Sequence, residues 1–209
     1  LPTVQRRIHR RMSFLQMLDA VSYAHLLGEN GAELDELYKD LLIGVTEFFR
    51  DPEAFECIGR DVLPALINEP GREELRLWVA GCATGEEAYS LAILADEQAR
   101  HLGYHGRISI FATDMHRESL ARASAGVFER GRVENLGPER IARYFKDESN
   151  GQLRIVPEIR QRIIFSSHNV INDPPFTKID LLTCRNMLIY FQPATQERVI
   201  SLFHYALKR

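Results

Sequence analysis

Gly81-Cys82-Ala83-Thr84-Gly85, followed at once by Glu86 and Glu87, stands between an apolar run and a helical one. Two glycines four apart let the backbone turn sharply and let a ligand come close to the main chain. In a sheet of alternating strands and helices, such a turn lies at the carboxyl end of a strand, where ligands bind. A dinucleotide fingerprint would place glycine at positions 83 and 86, where this chain has Ala83 and Glu86. Two carboxylates at the helix N-terminus also repel the pyrophosphate that such a terminus attracts, and they favour a cation. Glu87 has a second reading, because Thr84-Gly85-Glu86-Glu87 matches the capping box, in which the glutamate bonds back to the cap amide. Asp114 closes the run Ile110-Phe111-Ala112-Thr113-Asp114. It can accept from both ribose hydroxyls of an adenosine, or cap the helix that follows.

S-adenosylmethionine carries a sulfonium and an ammonium group, so its charge suits the acidic turn; the charge of NAD does not. Asp173-Pro174-Pro175-Phe176 is similar to the motif of amino-methyltransferases that act on DNA adenine. There the motif directly follows the fourth strand, whereas here it precedes the run Ile179–Cys184, one strand too early for nucleobase methylation. The net charge of −3 argues against a general nucleic-acid binder. One local exception is Arg6, Arg7, Arg10 and Arg11, a basic stripe if residues 4–18 are helical, with Ile8, Met12, Leu15 and Leu18 on another face. The stripe is either a solvated helix face or a docking surface for an acidic partner helix. His101 and His105 are four apart with Gly103 between them, which reads as a surface turn and not as a metal site. The three cysteines, Cys57, Cys82 and Cys184, are odd in number and fit no zinc spacing, and they suit a reducing cytoplasm. The sequence has no stretch of eighteen apolar residues, so no membrane-spanning helix is expected.

The elements that must position these residues change character along the 209-residue chain, whose 45% hydrophobic content supports a sizeable core. Residues 1–50 read as helices only. In 33–49, Leu34, Leu37, Leu41, Val45 and Phe48 recur at helical spacing. That helix should stop at Arg50, because Asp51 precedes Pro52 and is pushed out of the helical region. Asp51 then caps a helix that starts at Pro52 and runs to about Asn68. From Leu75 the pattern alternates: strands at 75–80, 108–113, 162–167 and 179–184, with helices at 86–100, 116–125 and 193–208. A helix near 138–145 and a hairpin around Gly151 fill the interval between. The alternation predicts an α/β fold, a doubly wound, mostly parallel Rossmann-like sheet over 69–209. A small helical domain occupies 1–68.

Several separated segments together resemble CheR-type chemotaxis protein methyltransferases: Thr46-Glu-Phe-Phe-Arg-Asp51, Ala80-Gly-Cys-Ala-Thr-Gly-Glu-Glu-Ala-Tyr-Ser90, Ala112-Thr-Asp114, Ser166-Ser-His-Asn169 and Cys184-Arg-Asn-Met-Leu-Ile-Tyr-Phe191. They occur in the family's order and cover almost the whole chain. The resemblance implies a protein-glutamate O-methyltransferase that uses S-adenosyl-L-methionine, releases S-adenosyl-L-homocysteine and acts on the cytoplasmic helices of methyl-accepting chemoreceptors. It implies that Thr46, Arg50 and Gly81 contact the cofactor, that Glu87 holds its methionine part and that Asp114 holds its ribose. Asn169 with Val170 and Asn186 with Met187 would line the adenine and methionine side. Arg50 and Tyr190 would stand beside the reactive methyl group, with Thr46 and Arg50 four apart on one helix face. A cytoplasmic monomer with no metal is expected. The alternative is a cofactor-binding signalling module of a fusion protein with little turnover. The family often has asparagine at the position of Gly44, and it continues past residue 209 into a Pro-Gly-Gly turn and further strands, so the chain reads as a fragment of a longer protein.

Overall fold

A computed structural model describes residues 2–41 and 46–208. The chain divides into two compact units, Leu1–Val45 and Thr46–Arg209. The expected boundary at 68/69 therefore moves to 45/46, because Phe55, Leu63 and Ile67, all from 52–67, are buried in the core of the second unit.

The first unit holds α1 (Pro2–Phe14), α2 (Ala20–Glu29) and α3 (Gly31–Leu41). Met12, Tyr23 and Leu37 form its small core. Asp19 caps α2 by accepting from the amides of Val21 and Ser22, both at 2.9 Å. The α1 helix ends at Phe14 rather than near 18, and Leu18 is fully exposed instead of lying on the apolar face. Much of the basic stripe is engaged within the unit. Arg7 donates to the Asp40 carbonyl, Arg10 pairs with the Asp40 carboxylate at 2.6 Å, and Arg11 reaches Glu33 and Glu36. Arg6 is exposed. The α3 helix is described to Leu41, and Gly44 and Val45 lie outside the described residues.

The second unit opens with α4 (Pro52–Cys57), a π-helical turn at Ile58–Val62 and α5 (Leu63–Ile67). The helical run is unbroken from Pro52 to Ile67, as expected, and its π turn accommodates Pro64, which lacks the amide an α-helix would use there. Then follow β1 (Glu74–Ala80), α6 (Glu86–Leu102), β2 (Arg107–Asp114) and α7 (Arg117–Ala125). A small antiparallel sheet comes next, built from β3 (Val127–Glu129), β4 (Phe145–Asp147) and β5 (Gln152–Ile155) in the order β3-β5-β4. Between its strands lie α8 (Arg130–Val133) and α9 (Pro138–Tyr144). The chain goes on through α10 (Pro157–Arg160), β6 (Ile163–Ser167), β7 (Leu181–Thr183) and α11 (Pro193–Ala206).

The main sheet is parallel throughout, in the order β6-β2-β1-β7. The chain builds outward from β1 through β2 to β6, then returns to lay β7 on the other side of β1. That reversal makes a topological switch point, and the crevice outside the carboxyl ends of β1 and β7 is where such a sheet binds its ligand. One face of the sheet meets α6, whose Ala88, Tyr89, Leu91, Ala92, Ile93 and Ala95 are buried in the main core. The other face packs Trp78 and Ala80 against Val170, Ile179, Val199 and Phe203. Trp78 is 1% exposed, lies edge-on to His168, Phe176 and Phe203, and donates its indole N–H to Thr113 Oγ1 at 2.9 Å. Phe176 of the Asp-Pro-Pro-Phe segment thus serves as core, stacked on Phe111.

Candidate functional site

The turn after β1 is built by backbone needs. Gly81 has φ 79° and Gly85 φ 97°, both in the left-handed region. A Cβ on Gly85 would stand 2.9 Å from the Cβ of Ala123, so the turn presses directly on α7. A Cβ on Gly81 would meet Met187 Sδ at 3.0 Å, which places Met187 against the floor of the turn. The amides of Gly81 and Cys82 both donate to the Thr113 carbonyl, at 2.8 and 2.9 Å, and tie the turn to the end of β2.

The capping box does not form. Gly85 is the cap residue of α6, which has no side-chain cap, and the Thr84 hydroxyl donates instead to Glu86 Oε2 at 2.7 Å. The two adjacent glutamates then part company. Glu86 is fully buried and satisfied, with Arg132 of α8 2.7 Å from its Oε1. Glu87 is mostly buried, and its Oε1 has no hydrogen-bond partner among the described residues; the neighbouring Thr183 Oγ1 at the end of β7 is also without one. The nearest cation to Glu87 is the Arg185 guanidinium, at 3.7 Å from Oε2, beyond hydrogen-bonding distance. Burial raises the Glu87 pKa above the ordinary carboxylate range, against the opposing pull of the nearby Thr183 hydroxyl, Arg185 and Arg50. A buried carboxylate oxygen left unpaired at the switch point is an acceptor prepared for an incoming donor.

Asp114 ends β2 and is buried. Its Oδ2 accepts from the Ala83 amide and its Oδ1 from the His116 amide, each at 2.9 Å. One carboxylate therefore joins the turns after β1 and β2. It does not cap α7: that position belongs to His116, whose ring accepts from the Ser119 amide. Each Asp114 oxygen keeps a second lone pair for a ligand hydroxyl.

Thr46 and Arg50 reach the same end of the sheet, but not from one helix face. Residues 46–51 form an extended and turning segment, with positive φ at Phe49 (53°) and Asp51 (56°). Apolar anchors override the helical periodicity read in the sequence. Phe48 is buried edge-on to Phe128 and Phe145, and its carbonyl accepts from Asn135 Nδ2 at 2.7 Å. The Phe49 amide donates to Ser90 Oγ at 2.9 Å, while its ring lies against Phe55 and under the Arg140 guanidinium. Thr46 lies beside Glu86, and Arg50 contributes positive potential at Glu87. Asp51 precedes Pro52 as expected but makes no side-chain cap.

After β7, Arg185 donates to the Arg50 carbonyl and to Asp51 Oδ2, and its guanidinium sits 5.1 Å from the Phe55 ring. Asn186 is exposed with φ 56°, and Met187 is half-buried beside Gly81. Tyr190, in the short 3₁₀ turn Leu188–Tyr190, is 45% exposed. Asn169 accepts from the Ile171 amide and donates its own amide to Asp173, while Val170 is buried in the second core. Burial raises the thiols of Cys82 and Cys184, that of Cys184 to about 12, which disfavours the thiolate form of both.

Residues 44–209 match the family model described as "CheR methyltransferase, SAM binding domain". The chain belongs to the CheR methyltransferase family. It is 34% identical to a chemotaxis protein methyltransferase of Salmonella typhimurium, over 98% of this chain and 71% of that one. It is 31% identical to one from Listeria innocua, over 99% of this chain and 76% of that one. It is 45% identical to an uncharacterised 104.1 kDa protein of Rhodobacter capsulatus over 99% of its own length, but spans only 22% of that protein.

The cofactor of a CheR domain is S-adenosylmethionine, and the donor set suits it. The unpaired Glu87 oxygen matches an ammonium, and Gly81 keeps the floor clear beside Met187. Arg185, 3.7 Å from Glu87, is not among the candidate residues that the motifs point to. Its signal was a charge at the end of an apolar strand, level with the glycine turn. A surface groove of 620 Å³ lined by Glu97, Arg100, Arg140, Arg143 and Tyr144 opens farther along α6. Glu97 is ten residues from Glu87, about 15 Å along the helix. No helix among the described residues is long and apolar enough to cross a membrane.

Proposed function

We propose that this chain methylates glutamate side chains on the cytoplasmic helices of methyl-accepting chemoreceptors, giving glutamyl methyl esters, and that it works in the cytoplasm as a monomer. Glu87 carries the reading: a buried carboxylate with an unpaired oxygen, at the switch point of the sheet, is suited to the ammonium of S-adenosylmethionine. The cofactor supplies an electrophilic methyl group on a positively charged sulfur. Asp114 accepts from the ribose hydroxyls, while Thr46, Gly81, Asn169, Val170, Asn186 and Met187 line the remainder. Arg50 and Tyr190 are the catalytic pair. Arg50 orients the incoming carboxylate, and Tyr190, on the exposed rim, donates a hydrogen bond beside it.

A glutamate is already ionised near pH 7, so attack on the methyl group needs no general base. Rate must then come from alignment and from exclusion of water. Over-pairing the nucleophile would slow it, so Arg50 positions more than it neutralises. A second reading is favoured by the Rhodobacter relative, in which this stretch is 22% of a much longer protein: a cofactor-binding module with little turnover. Incubation with methyl-labelled S-adenosylmethionine and a receptor cytoplasmic fragment separates the two. Base-labile label on the fragment is the expected result. Cofactor binding without transfer selects the module, and label on free carboxylic acids alone selects a small-molecule enzyme. Thermal stabilisation by NAD equal to that by S-adenosylhomocysteine would overturn the cofactor assignment itself.

A further inference from the structure

We propose that Arg185 is a positioning residue that clamps the 50–51 turn and so couples the cofactor carboxylate, Glu87, to the placement of Arg50. This rests on the methyl-transfer reading above and adds a residue to it. The guanidinium fork contacts two elements distant in sequence. One nitrogen, Nη2, lies 2.5 Å from both the Arg50 carbonyl oxygen and Asp51 Oδ2. The other, Nη1, stands 3.7 Å from Glu87 Oε2, and the guanidinium carbon lies over Phe55. Arg185 thus touches the main chain of the residue assigned to orient the substrate and faces the residue assigned to hold the cofactor.

The turn it holds does not hold itself. Phe49 and Asp51 both have positive φ, a conformation that non-glycine residues adopt only when surroundings impose it. Asp51 makes no side-chain cap to α4, although its carbonyl accepts from the Ala54 amide at 3.0 Å, and its side chain is 65% exposed, so its pairing with Arg185 does not serve the core. The division of the fork explains the coupling. Arg185 spends its short bonds on Asp51 and the Arg50 carbonyl, which leaves Glu87 incompletely neutralised and open to a second cation. A cation on Glu87 repels the guanidinium toward Asp51 and tightens the clamp. Binding at Glu87 would therefore fix Arg50 before a substrate carboxylate arrives. A lysine cannot do this, because a single ammonium that bonds the turn cannot also face Glu87 as the second nitrogen of the planar fork does.

The test uses Asp51→Asn and Arg185→Lys in the full chain. Asparagine tolerates the left-handed conformation at 51 and removes only the charge, so folding is not at stake. In each variant, amide exchange over 46–51, affinity for S-adenosylhomocysteine and the kcat and KM for a receptor fragment are measured beside the melting temperature. The clamp predicts faster exchange over 46–51, most in Arg185→Lys, and loss of the extra protection that S-adenosylhomocysteine gives this segment in the unaltered protein. It predicts kcat lower by about tenfold in Arg185→Lys, a loss of transition-state rather than uniform binding, with cofactor affinity within about twofold. Unchanged exchange in both variants would overturn the clamp, whatever the enzyme does. Faster exchange with unchanged kcat would overturn its coupling to Arg50. A unaltered protein that fails to bind S-adenosylhomocysteine condemns the cofactor reading instead, and shows this before any variant is compared.

Discussion

Replacing Glu87 with glutamine should move stability and affinity in opposite directions. Glu87 is buried, its Oε1 is unpaired, and burial holds its pKa above the ordinary range. An acid whose pKa is raised on folding binds its proton more tightly in the fold than in the unfolded chain. Its ionised form therefore costs stability at every pH above the folded pKa, and that cost fades as pH falls through it. Glutamine removes the charge, so the unliganded protein should melt higher at pH 7.5. With ligand the sign reverses. A charge-assisted bond to an ammonium contributes about 1.5–3 kcal/mol, and each 1.4 kcal/mol is a factor of ten. Affinity for S-adenosylhomocysteine should fall about ten- to a hundredfold. At ligand one hundred times the original Kd, ligand binding stabilises the unaltered protein by about 2.7 kcal/mol. A thirtyfold weaker variant would gain about 0.9 kcal/mol at the same concentration. For a chain of this size the first is a rise of roughly 5–11 °C and the second roughly 2–4 °C. Differential scanning fluorimetry with and without ligand, backed by calorimetric titration, reads both quantities. A lower unliganded melting point with unchanged affinity would refute the reasoning and return Glu87 to a role in the fold alone. In the unaltered protein, affinity should also weaken as pH falls through the raised Glu87 pKa.

Asp114→Asn should lower both quantities together, because asparagine leaves the Ala83 or the His116 amide without its acceptor; a melt and a titration should show a stability loss of about 1–3 kcal/mol alongside weaker binding. Gly85→Ala forces a Cβ to 2.9 Å from Ala123 at φ 97°, and should lower the melting temperature by an amount equivalent to about 1–3 kcal/mol. Arg11→Met strands the buried Glu33, which also accepts from the Tyr23 hydroxyl at 2.8 Å, and should destabilise the first unit by about 3–5 kcal/mol, read as faster amide exchange across residues 2–41. Arg11 lowers the Glu33 pKa, so the stability that Glu33 contributes is present above its unfolded pKa and lost as pH falls through the folded one. Acid should loosen this unit in the unaltered protein, and much less in the variant.

The parallel sheet was legible because its strands are apolar runs broken by glycine turns. The runs read at 75–80 and 108–113 appear as Glu74–Ala80 and Arg107–Asp114, and the helix read at 86–100 as Glu86–Leu102. The hairpin around Gly151 appears as the β4–β5 pair, but Val127–Glu129 was missed, being a three-residue strand with little periodicity to read. The segment 46–51 misled for a different reason. Phe48 satisfies a helical spacing with Leu34 and Leu37, yet its burial is won by Phe128 and Phe145, residues some eighty to a hundred positions away that no local pattern contains. The capping box failed similarly. Thr84 and Glu87 have the right spacing, but Gly85 takes the cap position and Thr84 turns to Glu86. Which of two adjacent glutamates faces the site and which is locked away was settled by Arg132, forty-six residues on from Glu86. Arg185 was invisible as a hub because its partners, Arg50 and Asp51, are about 135 residues upstream.

Trp78 is the only tryptophan in the chain, so tryptophan fluorescence has a single origin. That indole is shielded from water, lies edge-on to the His168 ring, and is tethered to Thr113, the residue next to Asp114. A shift of the Thr113 hydroxyl changes the polarity the indole senses. The fold thus contains its own optical probe, one residue from Asp114, and occupancy there can be followed without attaching a label.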